Sequence, residues 1–513
     1  MIRNPVLPGF HPDPSILRVG ADHYLATSTF EWYPGVRVHH SRDLVHWRPL
    51  GGILTERRLL DLSGVPDSGG VWAPDLTYHD GLFHLVYSVS DNYALGYKDV
   101  ANYLVTAPAI DGPWSDPVRL TGRGFDAALY HEDDRSFLLY MVFDSRPGRG
   151  FSGIELRPLH GGKPELILPE RDTTEGPHLY HVDGWYYLMV AEGGTGYTHQ
   201  VTVLRSRTMS GPYEEDPAGP MLTSRHDPGL ELQKAGHGCL VRTQDGEWYL
   251  AHLVARPYPG RRCVLGRETA LQRVVWEDGW PRVAGGVPAV EVQPPALPAH
   301  PWEDDDASGS DFSSDFSSDF SRNWSTLRRP ASPDWVSADA DGLTVRGGQS
   351  PYGLRAPSLV ARRVTDRTCS LETVLRFTPD GVHQSAGITA YYNSRNWHYL
   401  ALTTEGLVLT TSDRGVRTER LLGPAAAEVR LRVELDGPVV RFGHGDAYGP
   451  DLDATILSDE YADERIDGQI RAFGFTGAFV GLWVQDLAGE GCSARFERIA
   501  YRAPGDGSRA GGL

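Results

Sequence analysis

At 513 residues the chain is too long for one ordinary domain and long enough to bury two large cores. A formal net charge of −18 argues against nucleic acid or an anionic membrane as partner, because a phosphate surface would be repelled. A neutral or cationic ligand fits better. With 58 Gly and 37 Pro the chain reads as turn-rich and mostly β, and it has no run of about 20 apolar residues that would span a membrane as a helix.

The N-terminus, MIRNPVLPGFHPD, carries charge but no apolar core of a signal peptide. Cys239, Cys263, Cys369 and Cys492 lie far apart, with neither a zinc-type pair nor a disulfide-dense spacing. Reduced thiols in a cytoplasmic protein are the expectation.

Five short apolar strands follow, each closing on a leucine: HYL at Leu25, FHL at Leu85, SFL at Leu138, YYL at Leu188 and WYL at Leu250. Successive leucines are 60, 53, 50 and 62 residues apart, and 12 or 13 residues before them stand Asp13, Trp72, Asp126, Glu175 and His237. Five similar units of this length predict a five-bladed β-propeller, because a small sheet cannot bury both faces unless it stacks on neighbours around an axis. Residues matched in register then form a ring at one mouth of that axis. A second repeat, SRDLVHW (41–47), APAIDGPW (107–114) and SRTMSGPY (206–213), reads as a blade-edge turn with an aromatic packed between sheets.

From 287 to 333 the chain turns rich in Pro, Asp and Ser and contains DFSSDFSSDFS at 311–321, which reads as a linker or a slipped duplication. Beyond it TCSLETVLRF, AGITAYYN, NWHYLALT and EVRLRVEL alternate apolar and polar residues with turns between them, predicting an antiparallel β-sandwich. The expected organisation is a propeller over 1–290, a linker over 291–334, a sandwich over 335–505 and a flexible tail over 506–513.

The chemistry rests on the ring. Asp13, Asp126 and Glu175 on one mouth repel one another and resist ionisation in a dry site, so at least one has a raised pKa. One ionised and one protonated carboxyl group are what glycoside hydrolysis needs, with the third tuning the acid. Trp72 and Phe30 offer faces on which sugar rings stack. His237 offers a hydrogen-bond partner or a ligand for an axial cation, and Arg267 a fixed donor fork that holds a carboxylate ionised. Taken singly, Asp13 also fits a turn-capping role, His237 a structural one and Arg267 a surface ion pair.

NPVLPGFHPDPSI, STFEWYPGV, GVWAPDL, NYLVTAPAIDGPW, GFDAALYH, TEGPHLY, GHGCLV, LGRETALQ and FTGAFVGLWVQDL together, in this order, resemble the β-xylosidases of glycoside hydrolase family 43. The resemblance implies a five-bladed propeller that carries the active site, followed by a jelly-roll, concanavalin-like sandwich that closes one side of it. It also implies inversion, with Asp13 as general base, Glu175 as general acid and Asp126 as the residue tuning that acid. Phe30, Trp72, His237 and Arg267 match substrate-pocket positions, and FTGAFVG (475–481) matches a sandwich loop at the mouth, leaving open which of Phe475 and Phe479 closes the pocket. Phe143, in VFD, stands where the family leads one to expect a tryptophan-bearing stretch, which bears on the leaving-group side.

The expected reaction is release of xylose from the non-reducing end of β-1,4-xylooligosaccharides. The alternatives are an α-L-arabinofuranosidase or bifunctional enzyme and, in another class, a non-catalytic carbohydrate-binding protein, for which a costly acid cluster has no use. The expected partner is a small oligosaccharide, without nucleic acid or membrane, and a homo-oligomer is left open. No cofactor or metal site is expected to be required, although a structural or activating divalent cation such as calcium beside His237 is compatible with the sequence.

Overall fold

Every blade is one consecutive stretch of chain. The computed structural model describes residues 1–94, 96–302, 322–339 and 341–504. The first blade lays Ser15–Val19, Asp22–Thr27, Gly35–Ser41 and Arg48–Leu54 side by side, and the second Gly70–His79, Leu82–Asn92, Asp99–Ala107 and Val118–Thr121. The third is built from Gly124–Glu132, Arg135–Asp144, Gly150–Pro158 and Glu165–Leu168. The fourth uses Glu175–Val182, Trp185–Glu192, Gln200–Ser206 and Glu214–Glu215, with Leu222–Thr223 added, and the fifth Gln233–Arg242, Trp248–Ala255, Glu268–Glu277 and Trp280–Val283. The first strands of successive blades neighbour one another and return from the fifth blade to the first, so they line the axis.

The leucine register corresponds to this geometry. Leu25, Leu85, Leu138, Leu188 and Leu250 all sit in the second strand of their blade, paired with Ile16, Leu76, Leu129, Leu179 and Leu240 of the first. None of the five is more than 1% exposed. Each fills a wedge between sheets, and burying a leucine in this way contributes about 1.5–3 kcal/mol. The blade-edge aromatics behave as turn residues: Trp47 Nε1 donates to the Leu44 carbonyl at 3.1 Å, Trp114 Nε1 to Ile110 at 3.3 Å and the Tyr213 hydroxyl to Met209 at 2.7 Å.

Among the described residues no blade borrows a strand from the other end of the chain, so the ring is closed from outside. Ile2–Arg3 pairs with Glu291–Val292, and the Asn4 side-chain amide donates to the Leu271 and Ala289 carbonyls while its oxygen accepts from the Leu271 N–H.

Two sheets form the sandwich. One orders Val416–Gly423, Gly406–Asp413, Asn396–Thr403, Gln384–Asn393, Phe479–Asp486, Ser358–Arg363, Trp324–Leu327 and, from the first blade, Trp32–Tyr33. The other orders Val336–Asp339, Gly342–Arg346, Ser493–Arg502, Thr368–Arg376, Glu428–Asp436, Val439–His444 and Ala447–Tyr448. Their facing side chains, among them Leu371, Ile388, Leu400, Val433 and Phe496, make one contiguous core. The stretch read as linker thus holds sheet strands at both ends, Glu291–Val292 and Trp324–Leu327. Its DFSS repeat, like the tail at 506–513, lies outside the described residues. No helix among the described residues is long and apolar enough to cross a membrane.

Candidate active site

A bulge recurs at one level of the first strands. Three residues before Ile16, Leu76, Leu129, Leu179 and Leu240 stand Asp13, Ala73, Asp126, Gly176 and His237, and all five have positive φ, at 53, 24, 52, 56 and 46°. In the last four blades the ladder slips register there. A left-handed residue breaks the strict alternation of side chains and re-aims one of them. In the first, third and fifth blades the functional side chain is the left-handed residue itself, and in the second and fourth, Trp72 and Glu175, it is the residue before. This explains the offset of 13 in the second and fourth blades against 12 in the first and third; in the fifth, His237 stands 13 before Leu250 because Leu240 and Leu250 are 10 residues apart where the other pairs are 9. Non-glycine residues in this conformation cost of order 1–3 kcal/mol each and cluster at functional sites. At Gly176 a Cβ would stand 3.0 Å from the His237 ring, a tight contact that the glycine avoids.

All seven residues singled out in the sequence converge here and are buried. Asp13 accepts from Ser28 Oγ at 2.7 Å and from Arg267 Nη1 at 3.0 Å, with His237 Nδ1 4.0 Å away. Burial pushes its pKa up, but Arg267, His237 and the Ser28 hydrogen bond outweigh that and hold it below the ordinary carboxylate value. Asp126 is the opposite case. Burial and the nearby Asp13 charge push it up to about 7 against the Gly176 N–H, which donates to its Oδ2 at 3.2 Å. Burial and Asp126 also raise Glu175 well above the usual range, against the pull of Lys98. One carboxylate is therefore held ionised and two neighbours compete for protons.

Aromatic rings wall the site. Trp72 packs edge-on to Phe125 with centroids 5.2 Å apart, and its Nε1 donates to the Ser68 carbonyl at 2.9 Å. From the sandwich, Phe475 stands 5.9 Å from Phe30 and 6.2 Å from Trp72, while Arg267 Nη2 donates to the Phe475 carbonyl at 3.1 Å. Phe479 is fully buried and stacks on Trp32 at 3.9 Å. Phe475 is thus the residue at the mouth and Phe479 belongs to the interdomain core. The loop can approach so closely because Gly266 carries no Cβ, which would meet the Thr476 carbonyl at 2.1 Å.

Four residues of the site escaped the sequence reading: Ser28, His199, Lys98 and, as a definite choice, Phe475. Lys98 lies just before a strand, in a Gly–Tyr–Lys–Asp stretch without any motif, and only the fold brings it to Glu175. His199 is buried, its pKa lowered to about 3 by burial, by His237 whenever that ring is protonated and by the Arg267 charge, with Nδ1 facing the Lys234 carbonyl at 3.2 Å. Among the described residues no three His, Cys, Asp or Glu side chains are arranged to hold a metal. The carboxylate facing His237 is Asp13, which already bonds Arg267 and Ser28.

Residues 2–281 match the family described as glycosyl hydrolases family 43, and residues 311–502 the β-xylosidase C-terminal concanavalin A-like domain. The chain belongs to glycoside hydrolase family 43. A xylosidase/arabinosidase 43B of Humicola insolens is 42% identical, over 98% of this chain and 97% of that one. A β-xylosidase of Bacillus subtilis (strain 168) is 40% identical over 98% and 99%. The crystal structure of a xylan β-1,4-xylosidase from Bacillus halodurans C-125 superposes with a TM-score of 0.90 at 44% identity, covering 98% of this chain and 100% of that one. This family 43 chain is a glycoside hydrolase of an inverting family, with a five-bladed propeller and a concanavalin-like sandwich.

Proposed function

We propose that this family 43 enzyme releases single xylosyl units from the non-reducing ends of β-1,4-xylooligosaccharides by one displacement with inversion. Asp13 is the base: ionised and aimed by Arg267 and Ser28, it takes a proton from water as that water attacks the anomeric carbon. Glu175 is the acid: burial and Asp126 raise its pKa well above the usual carboxylate range, and it gives its proton to the glycosidic oxygen as the carbon–oxygen bond breaks. Asp126 tunes Glu175 by the charge it shares with it and by its bond to the Gly176 N–H. Phe30, Trp72 and Phe475 stack on the sugar, and His237 and Arg267 bond its hydroxyls. The observation that carries this reading is the opposite surroundings of two carboxyls in one buried ring: Asp13 bonds Arg267 and Ser28, whereas burial and Asp126 raise Glu175.

Product analysis by NMR on xylobiose tests it, with the α-anomer of xylose expected first. Asp13→Ala and Glu175→Ala are each expected to cut kcat on xylobiose by at least about 10³-fold without loss of folding, because each removes a proton-transfer partner. Ordinary turnover by either variant would sink the assignment. Activity should fall in acid as Asp13 protonates, below the ordinary carboxylate range, and in alkali as the Asp126–Glu175 pair ionises, above it.

A second reading, α-L-arabinofuranosidase activity in the same pocket, is favoured by the Humicola insolens relative, whose name joins both activities. Parallel assays on aryl β-xyloside and aryl α-L-arabinofuranoside separate the two. The reaction as written needs no cofactor. For calcium at His237, dialysis against EDTA with calcium added back is the test, and unchanged activity is expected because Asp13 is already neutralised by Arg267. The four free cysteines, three of them buried, support a reducing cytoplasmic location, and the net charge of −18 a partner other than nucleic acid or membrane. Cell fractionation would decide the location.

A further inference from the structure

Lys98 occupies an unusual position. Its Nζ lies 5.1 Å from the centroid of Trp72, 5.2 Å from Phe125, 5.2 Å from Phe143 and 5.1 Å from Phe473. Four rings from the second blade, the third blade and the sandwich thus surround one ammonium at nearly equal distance. Two of them flank the reacting ring of side chains: Trp72 holds the second blade's position in it and Phe125 precedes Asp126. Ring faces carry partial negative charge and attract a cation that has lost water. Such a cage fixes Lys98 where hydrogen bonds to solvent would otherwise let it roam, with Phe143 and Phe473 completing it.

We propose that Lys98 is a positioning residue for the reaction: its ammonium, caged against Trp72 and Phe125 at the carboxylate ring, compensates the charge that Glu175 acquires on handing its proton to the leaving oxygen. The inference rests on the reading of Glu175 as the acid. In the step itself the proton passes from Glu175 to the glycosidic oxygen, the electron pair of the broken bond stays on that oxygen, and Asp13 takes the proton of the attacking water. Glu175 ends as a carboxylate in a dry site, with Asp126 and Asp13 on one side of its charge balance and Lys98 and Arg267 on the other. His237 stands against the neighbouring Gly176 from the fifth blade, held neutral by a pKa lowered to about 4. Arg267 is committed to Asp13 and to the Phe475 carbonyl, which leaves Lys98 as the cation serving the acid. Burial lowers the Lys98 pKa to about 8, opposed by Glu175 and Asp126, so it is mostly charged at neutral pH.

The neutral, near-isosteric Lys98→Met variant tests this, with two substrates of different leaving group. Xylobiose needs its leaving oxygen protonated, whereas 2,4-dinitrophenyl β-xyloside does not. On xylobiose kcat/KM is expected to fall at least about 30-fold, on the dinitrophenyl substrate no more than about 3-fold, following the size of general-acid effects. The alkaline limb for xylobiose should move to higher pH, because removing a nearby cation raises the pKa of Glu175, while the acid limb set by Asp13 stays. Equal losses on both substrates with an unshifted limb would overturn the proposal and make Lys98 a structural residue. Glu175→Ala, run in parallel, keeps the two readings apart. If it loses xylobiose activity selectively while Lys98→Met does not, only the role of Lys98 fails. If Glu175→Ala slows both substrates alike, the acid assignment fails first.

Discussion

The sandwich and the propeller solve burial differently. The sandwich packs its two sheets on a single apolar core and confines charge to its surface and its seam. The propeller divides its apolar side chains into wedges, one between the first and second blades, others between second and third, fourth and fifth, and fifth and first. The wedge between third and fourth blades runs on through Trp72, Phe125 and Phe30 into Phe473, Phe479 and Trp483 of the sandwich. Wedges hold a ring rigid while leaving its axis unfilled by apolar side chains. Three mutually repelling carboxyl groups can be held there because strength is built elsewhere.

The two regions meet in a buried charged seam, which gives the sharpest way to break that contrast. Arg328 donates to Asp67 Oδ1 and to the Val65 carbonyl, each at 2.7 Å, and Asp67 also accepts from Ser394 of the sandwich. Arg328→Ala leaves Asp67 buried without its cation and should cost about 3–5 kcal/mol in denaturant unfolding. A loss under about 1 kcal/mol would mean that the apolar seam alone holds the domains together.

The axis makes the opposite prediction. The Asp126 pKa is raised on folding from the model-peptide value of 3.8 to about 7, so the folded state binds its proton more tightly and stability falls as pH rises between those values. Asp126→Asn removes that dependence. Relative to wild type it should gain on the order of 2–3 kcal/mol on going from pH 5 to pH 8, seen as melting temperatures that diverge with pH. Parallel curves would show that the ring is not strained by its own charge.

A smaller effect reports on the seam's part in the site. Phe475→Ala opens the mouth and removes a stacking face while leaving both reacting carboxyls in place, so kcat/KM on xylobiose should drop about 10- to 30-fold. Phe479→Ala, buried against Trp32, should instead lower stability by about 3–5 kcal/mol with a smaller effect on KM. An exchange of these outcomes would reverse the assignment of the two phenylalanines.

Much of this was legible in the sequence because repetition makes local signals add. Five leucines at similar spacing fixed the blades, and the residue 12 or 13 positions earlier found the ring. Where each functional side chain sits relative to its bulge was not legible, since a bulge depends on φ at one residue and leaves no mark in composition. Ser28, His199 and Lys98 were missed for another reason. Each reaches the site from the far end of a strand or loop, and polar partners such as Arg267 and Asp13, 254 residues apart, are brought together only by ring closure. The choice between Phe475 and Phe479 turned on the close approach at Gly266, where a Cβ would meet the Thr476 carbonyl at 2.1 Å, a contact no pattern encodes. Trp324–Leu327 fell within the predicted linker because its neighbouring Pro, Asp and Ser residues hide a short strand.

Trp32–Tyr33, the eighth strand of a sandwich sheet, comes from a hairpin of the first blade, and its partner is Thr326 and Leu327. A protein divided at the apparent boundary would leave each half with a raw sheet edge and strip Phe479 of the indole it stacks on. Exchanging the sandwich in this protein would therefore mean rewriting a first-blade loop that lies two residues from Phe30.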